Sequence, residues 1–146
     1  MNALKLNREE IMEIIPHRDP MLLIDEVIDM TLGKDIIAKF YVDPSRAIFA
    51  GHFPNDPVLP GVYTTECMAQ AADILLLSFD RYAGTTPYFI GIDRVKFLNK
   101  IVPGYTIEIH AKIIEERVDK AIVTCSAVVY CNGKIVATGD VMLAMR

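Results

Sequence analysis

From Pro60 to Phe79 the chain reads PGVYTTECMAQAADILLLSF, and its apolar residues spread over nearly the whole circumference of a helix. Val62, Tyr63, Cys67, Met68, Ala71, Ala72 and the run Ile74 to Leu77 leave no broad solvent face, and a helix apolar all round is a buried helix. Pro60 opens it at a position where a missing N–H costs nothing. At 1.5 Å per residue the segment spans roughly 30 Å. A rod of that length has to be enclosed, and the remainder of the chain supplies strands. Leu22 to Met30 and Asp35 to Asp43 are β-rich runs about a turn at Gly33. Everything after Pro87 reads as strand. Tyr105 to Ile113 alternates apolar and polar side chains, and Ala121 to Tyr130 meets Lys134 to Ala144 through Asn132-Gly133, a strong hairpin signal. Ahead of these, Asn7-x-x-Glu10 resembles a capping box for a short amphipathic helix that Pro16 stops. Ala47 to Pro60 reads as a loop ruled by Gly and Pro. The expected fold is α+β: a curved antiparallel sheet wrapped around one long buried helix, with residues 1–146 in a single domain.

Composition narrows the function classes. Net charge is −4 with no Lys/Arg block, which argues against nucleic acid or an anionic membrane surface as partner. The chain is 52% hydrophobic, apolar for its size, so a long buried element or a subunit interface is expected, and the excess implies a homodimer. Cys67, Cys125 and Cys131 are odd in number and sit in apolar runs, as reduced core thiols do. MNALKLNREE has no apolar signal-peptide core, and the greasy run Cys67 to Phe79 is too short to span a bilayer. The expectation is a soluble cytoplasmic protein with no membrane insertion.

The chemistry concentrates in GHFPNDPVLPG, Gly51 to Gly61, and in the helix behind it. His52 is one of three histidines; three prolines follow it within eight residues. It is either a loop histidine bonded to nearby backbone or an imidazole held rigidly against a substrate. His17 and His110 lack ligand spacing to it and no Cys cluster is near, so no metal is expected. His110 lies on the polar parity of its strand, and His17, in Pro-His-Arg, reads as structural. Glu66, Gln70 and Asp73 fall at i, i+4 and i+7, one stripe of the apolar helix. Glu66 is either at a solvent or subunit boundary, or a carboxyl whose burial favours its protonated form. Gln70, one turn on, can hydrogen-bond it and fix its rotamer. Gly61, at the first turn, offers a backbone N–H and the positive end of the helix dipole to a developing oxyanion. A base, an acid and an oxyanion donor are what proton removal α to a thioester carbonyl needs when a leaving group sits at the β carbon.

These residues resemble a known family. IPHRDPMLLIDEV, GHFPNDPVLPGVYTTECMAQ, YFIGIDRVKF and IVPG occur in the order found in the hotdog-fold 3-hydroxyacyl-[acyl-carrier-protein] dehydratases of fatty acid synthesis, over about Ile15 to Met145. The resemblance implies that His52 is the catalytic histidine, Glu66 the catalytic carboxylate and Gly61 the donor to the thioester carbonyl. It implies that Tyr88 gates the acyl tunnel, that no metal or cofactor is used, and that the substrate arrives on acyl carrier protein. It implies homodimers assembled as trimers of dimers, each site taking its histidine from one subunit and its glutamate from the other. A related isomerising branch carries Asp at the helix position, so Glu66 favours simple dehydration. Asp19, Thr64 and Thr65 after Tyr63, and Leu98-Asn99-Lys100 depart from the family's usual residues. They bear on the acyl tunnel and on carrier docking. A hotdog thioesterase acting on acyl-CoA is the alternative enzyme; it would use a helix carboxylate and water and leave His52 without a task. An acyl-sensing regulator of the same fold would need a DNA-binding appendage, for which the six residues before Asn7 leave no room.

Overall fold

The computed structural model describes residues 4–146. Its first helix, α1 (Arg8–Ile14), begins on the expected capping box: the Asn7 side chain accepts from the Glu10 N–H, and the Glu10 carboxylate accepts from the Asn7 N–H, both at 2.9 Å. Six strands follow, β1 (Glu26–Thr31), β2 (Asp35–Tyr41), β3 (Pro87–Phe97), β4 (Thr106–Arg117), β5 (Ile122–Cys131) and β6 (Lys134–Met145). They form one antiparallel sheet in the order β1-β2-β4-β5-β6-β3. Asn132 and Gly133 both take positive φ (52° and 74°) between β5 and β6, as the tightest hairpin turn demands.

Between the strands lie α2 (Ile48–Gly51) and α3 (Gly61–Leu77). α3 packs against β2 through β6, and every residue from Cys67 to Leu77 is buried. The strands meet it with alternating inward residues such as Ile107, Ile109 and Ala111 of β4 and Val123, Cys125, Ala127 and Val129 of β5. This is the hotdog arrangement, a curved sheet around a buried helix. No helix among the described residues is long and apolar enough to cross a membrane.

Three local readings change. Pro60 caps α3 rather than opening it, and the helix ends at Leu77, where the Ser78 hydroxyl donates back to the Ile74 carbonyl at 2.5 Å. The segment 47–60 contains the four-residue α2, closed by a turn bond from the Phe49 N–H to the Arg46 carbonyl. The first strand starts at Glu26, four residues later than the apolar pattern suggests. Leu22, Leu23 and Ile24 are at most 1% exposed, but they fill the core beside α3 instead of joining the ladder. The Leu23 N–H is satisfied by the Gln70 side chain at 2.9 Å.

The two sheet edges are finished differently. On β1, Leu6 and Val27 exchange both backbone bonds, at 2.9 and 3.0 Å, which covers part of that edge. Among the described residues β3 has one neighbour, β6, and leaves Tyr88, Phe89, Ile90, Ile92 and Phe97 between 37% and 58% exposed. Its pairing shifts register between Asp93 and Lys96, where Arg94 takes φ 51° and its guanidinium pairs with the buried Asp140 carboxylate.

Candidate active site

His52 closes α2, and the loop behind it is folded back by backbone bonds. The Val58 N–H donates to the His52 carbonyl at 2.8 Å, and Phe53 and Asp56 exchange two bonds of 2.8 Å. The ring follows the same path: Nδ1 lies 2.7 Å from the Val58 carbonyl oxygen. A carbonyl only accepts, so Nδ1 carries the proton and Nε2 of the neutral ring keeps its lone pair. Phe53 stacks on the imidazole with centroids 4.0 Å apart. Of the two alternatives for this histidine, the backbone bond is present, and it leaves the other nitrogen without a hydrogen-bond partner among the described residues.

The ring faces a cavity of about 720 Å³ whose lining includes Gly61, Thr64, Thr65, Phe97, Leu98 and Lys100. Gly61 opens α3, so its N–H has no acceptor within the helix. The Phe97 ring lies so close over it that a Cβ there would come within 2.8 Å of Cζ. Thr65 is turned inward by a 3.1 Å bond from its hydroxyl to the Gly61 carbonyl. The unusual residues Thr64, Thr65 and Leu98 thus belong to the cavity wall, whereas Asp19 lies apart, ion-paired to Arg8 at 3.4 Å.

Glu66 does not line this cavity. One residue on from Thr65, it points about 100° further round the helix. Its side chain is 21% exposed, so the full burial that its apolar neighbours suggest is not reached within one chain. It meets a different set of groups. Gln70, fully buried, donates from Nε2 to Glu66 Oε2 and to the Met21 carbonyl, both at 2.8 Å, while its Oε1 takes the Leu23 N–H. The hydrogen bond expected between Gln70 and Glu66 is therefore present.

His17 completes the cluster, and the sequence gives no spacing signal for it. Its Nε2 stands 3.6 Å from Asp73 Oδ2 and 4.0 Å from Glu66 Oε2. Burial pushes the His17 imidazole below its ordinary value against the pull of Glu66. Burial, with Glu66 adding to it, holds the Asp73 carboxyl well above the usual carboxylate range. Tyr88, the expected gate, sits 55% exposed on β3 opposite Ala144 and outside the cavity lining. Cys67 and Cys125 are fully buried with thiols pushed up by desolvation, that of Cys125 to about 12. His110 pairs with Glu108 at 3.2 Å on the sheet's outer parity.

The chain matches the FabA-like domain over residues 15–140. It is 42% identical over 134 residues to a 3-hydroxyacyl-[acyl-carrier-protein] dehydratase FabZ of Clostridium tetani, covering 92% of this chain and 93% of that one. Among solved structures it is similar to the dehydratase heterocomplex ApeI:P from Xenorhabdus doucetiae, with TM-score 0.77, 18% identity, and 93% and 90% of the two chains covered. It is also similar to a hypothetical thioesterase with coenzyme A from Streptococcus pneumoniae, with TM-score 0.63, 9% identity, and 92% and 90% covered. At those identities the two structures speak for the fold alone. The near-full-length sequence match is what decides descent: the chain belongs to the FabA-like domain family, with the FabZ-type 3-hydroxyacyl-[acyl-carrier-protein] dehydratases.

Proposed function

We propose that this chain dehydrates (3R)-3-hydroxyacyl-[acyl-carrier-protein] to trans-2-enoyl-[acyl-carrier-protein] in fatty acid or related lipid biosynthesis. The observation that carries the residue roles is the 2.7 Å contact of His52 Nδ1 with the Val58 carbonyl, which leaves Nε2 as a base beside the cavity. His52 Nε2 takes the proton from C2 of the acyl chain. The charge that develops on the thioester oxygen is met by the Gly61 N–H and the N-terminal end of α3. The C3–O bond then breaks, and the Glu66 proton leaves with the hydroxyl as water. Each step is a proton transfer or a bond heterolysis, so the reaction as drawn needs no metal or cofactor.

Within one chain Glu66 and His52 open onto different surroundings, which supports a site built from two copies of the chain. The apolar, singly paired β3 supplies the edge across which the copies join. Tyr88, on that edge, reaches the acyl path only across such an interface. The resulting homodimers assemble as trimers of dimers in the cytoplasm, and Lys100 on the cavity wall offers a cation to an acidic carrier protein.

The decisive assay uses purified protein and 3-hydroxyacyl-carrier thioesters of graded length, following product by mass. Loss of one water from the acyl group, abolished in His52→Ala and Glu66→Gln, is the expected result. Release of free thiol from acyl-CoA without an enoyl product would establish the thioesterase reading instead.

A further inference from the structure

The polar stripe of α3 contains one group that dehydration as described does not use. Asp73 has a side chain only 3% exposed, in a stretch where Ala71 and Ala72 fill the same helix with methyl groups. Its Oδ1 and the facing His17 Nδ1 are both buried without a hydrogen-bond partner. Burying polar groups in this state weakens a fold, so packing does not explain the pair.

Its position relative to Glu66 does. Gln70 Nε2 donates to Glu66 Oε2, and His17 Nε2 approaches that same oxygen. Glu66 Oε1 has no hydrogen-bond partner among the described residues and is not one of the buried orphans. We propose that His17 and Asp73 are positioning residues for Glu66: with Gln70 they hold Oε2 and leave Oε1 as the oxygen that delivers the proton to substrate. This rests on Glu66 being the proton donor.

The geometry gives the pair a division of labour. His17 Nε2–H lies between two carboxyl oxygens, nearer Asp73 Oδ2 at 3.6 Å than Glu66 Oε2 at 4.0 Å. While Glu66 holds its proton, Asp73 Oδ2 is the nearer of the two oxygens, at a distance longer than a hydrogen bond. Once Glu66 has given its proton to the leaving hydroxyl, its Oε2 becomes the stronger acceptor, and a small turn of the ring brings the N–H to it. The groups facing this ring are Glu66 and Asp73 of α3, and Asp73 in turn faces the protonated thiol of Cys125 on β5. Desolvation disfavours the charged forms of both His17 and Asp73.

The test compares Asp73→Ala, Asp73→Asn and His17→Gln with wild type and with Glu66→Gln, using a 3-hydroxyacyl thioester and a full pH profile. Asp73→Ala is expected to lower kcat about tenfold, short of the roughly 10²–10⁴-fold of a general acid itself. KM stays within twofold, and the limb of the kcat profile that disappears in Glu66→Gln moves. Asp73→Asn keeps a carbonyl acceptor and restores most of the rate. Nitrogen NMR of histidine-labelled wild type and Asp73→Asn is expected to find His17 protonated on Nε2, with that signal moved in Glu66→Gln. Wild-type kcat and an unmoved limb in both Asp73→Ala and His17→Gln, beside an inactive Glu66→Gln, overturn the proposal alone. So does a His17 protonated on Nδ1, a result that does not depend on whether Asp73→Ala folds. Full activity in Glu66→Gln overturns the proton-donor reading and the proposal with it.

Discussion

As the proposed base, His52 commits Nδ1 to the carbonyl six residues on, which fixes the ring and leaves Nε2 available. The ring contributes little to the core, so His52→Ala is expected to keep its circular dichroism spectrum while dehydration falls by about 10²–10⁴-fold. Retention of more than about a tenth of the wild-type rate would remove His52 from that role. Gly61 allows a sharper test, because its lack of a side chain matters through a neighbour. A methyl at Gly61 would come within 2.8 Å of Phe97 Cζ, the free end of a half-exposed ring. Gly61→Ala should therefore leave the melting temperature almost unchanged but turn that ring within the cavity, costing about tenfold or more in kcat/KM. Adding Phe97→Leu should recover part of the loss, since the two positions touch and their effects are not independent. Full additivity would place the damage at the Gly61 backbone itself.

At the scale of elements, Gln70 hydrogen-bonds α3 to the chain ahead of β1. Gln70 satisfies the Leu23 N–H and the Met21 carbonyl as well as Glu66. Gln70→Leu orphans both backbone groups, and at about 1–3 kcal/mol for each buried unpaired group the fold should lose roughly 3 kcal/mol, measured as a shift in urea midpoint at constant slope. A loss under about 0.5 kcal/mol would mean that water or a rearranged backbone replaces the amide. These elements differ in how readily the sequence declares them. α3 and the β5–β6 hairpin follow from local pattern, an unbroken apolar surface and an Asn-Gly pair whose conformation is set within two residues. Leu22 to Ile24 carries a strand's composition, but its hydrogen-bond partner is a side chain 47 positions away, so local pattern is silent about it. The site divides in the same manner. His52, Gly61 and the Glu66–Gln70 pair stand out through a rigid loop and a helical repeat. The approach of His17 to Asp73 exists only after α1 and α3 have packed. The turning of Glu66 away from the His52 cavity likewise depends on a one-residue step around the helix.

For the molecule as a whole, two buried groups give stability a pH dependence of opposite signs. The folded His17 has its pKa below 6.5, so between that folded value and 6.5 the unfolded chain binds a proton that the folded chain does not. Stability from this group is complete above 6.5 and is lost as pH falls. Asp73 is raised above 3.8 in the fold, so its contribution is complete below 3.8 and is lost as pH climbs through the folded value. Urea titrations at a series of pH values should show a shallower loss on going from pH 7 toward 5 in His17→Gln than in wild type, and a gain at neutral pH in Asp73→Asn. Identical profiles in all three would assign the dependence to other groups. The assembly itself is tested by mixing. If one site joins His52 of one copy to Glu66 of another, a dimer of His52→Ala with Glu66→Gln holds one defective and one intact site. Random exchange makes about half of the dimers mixed, so about a quarter of all sites should work, although each parent is nearly dead. Mixed dimers verified by native mass that remain inactive would place both residues of a site in one chain. The sheet order carries one further consequence, in time. β3 is the third strand to be synthesised, yet among the described residues its one partner is β6, the sixth. About forty residues must follow before that pairing can close, a loop whose entropy has to be met before any β3 bond repays it. Until Lys134 to Met145 has left the ribosome, both flanks of β3 are unpaired. During that interval Phe89, Ile90 and Ile92 are uncovered, and a nascent chain stalled before Lys134 would present an apolar strand with no strand of its own to pair with.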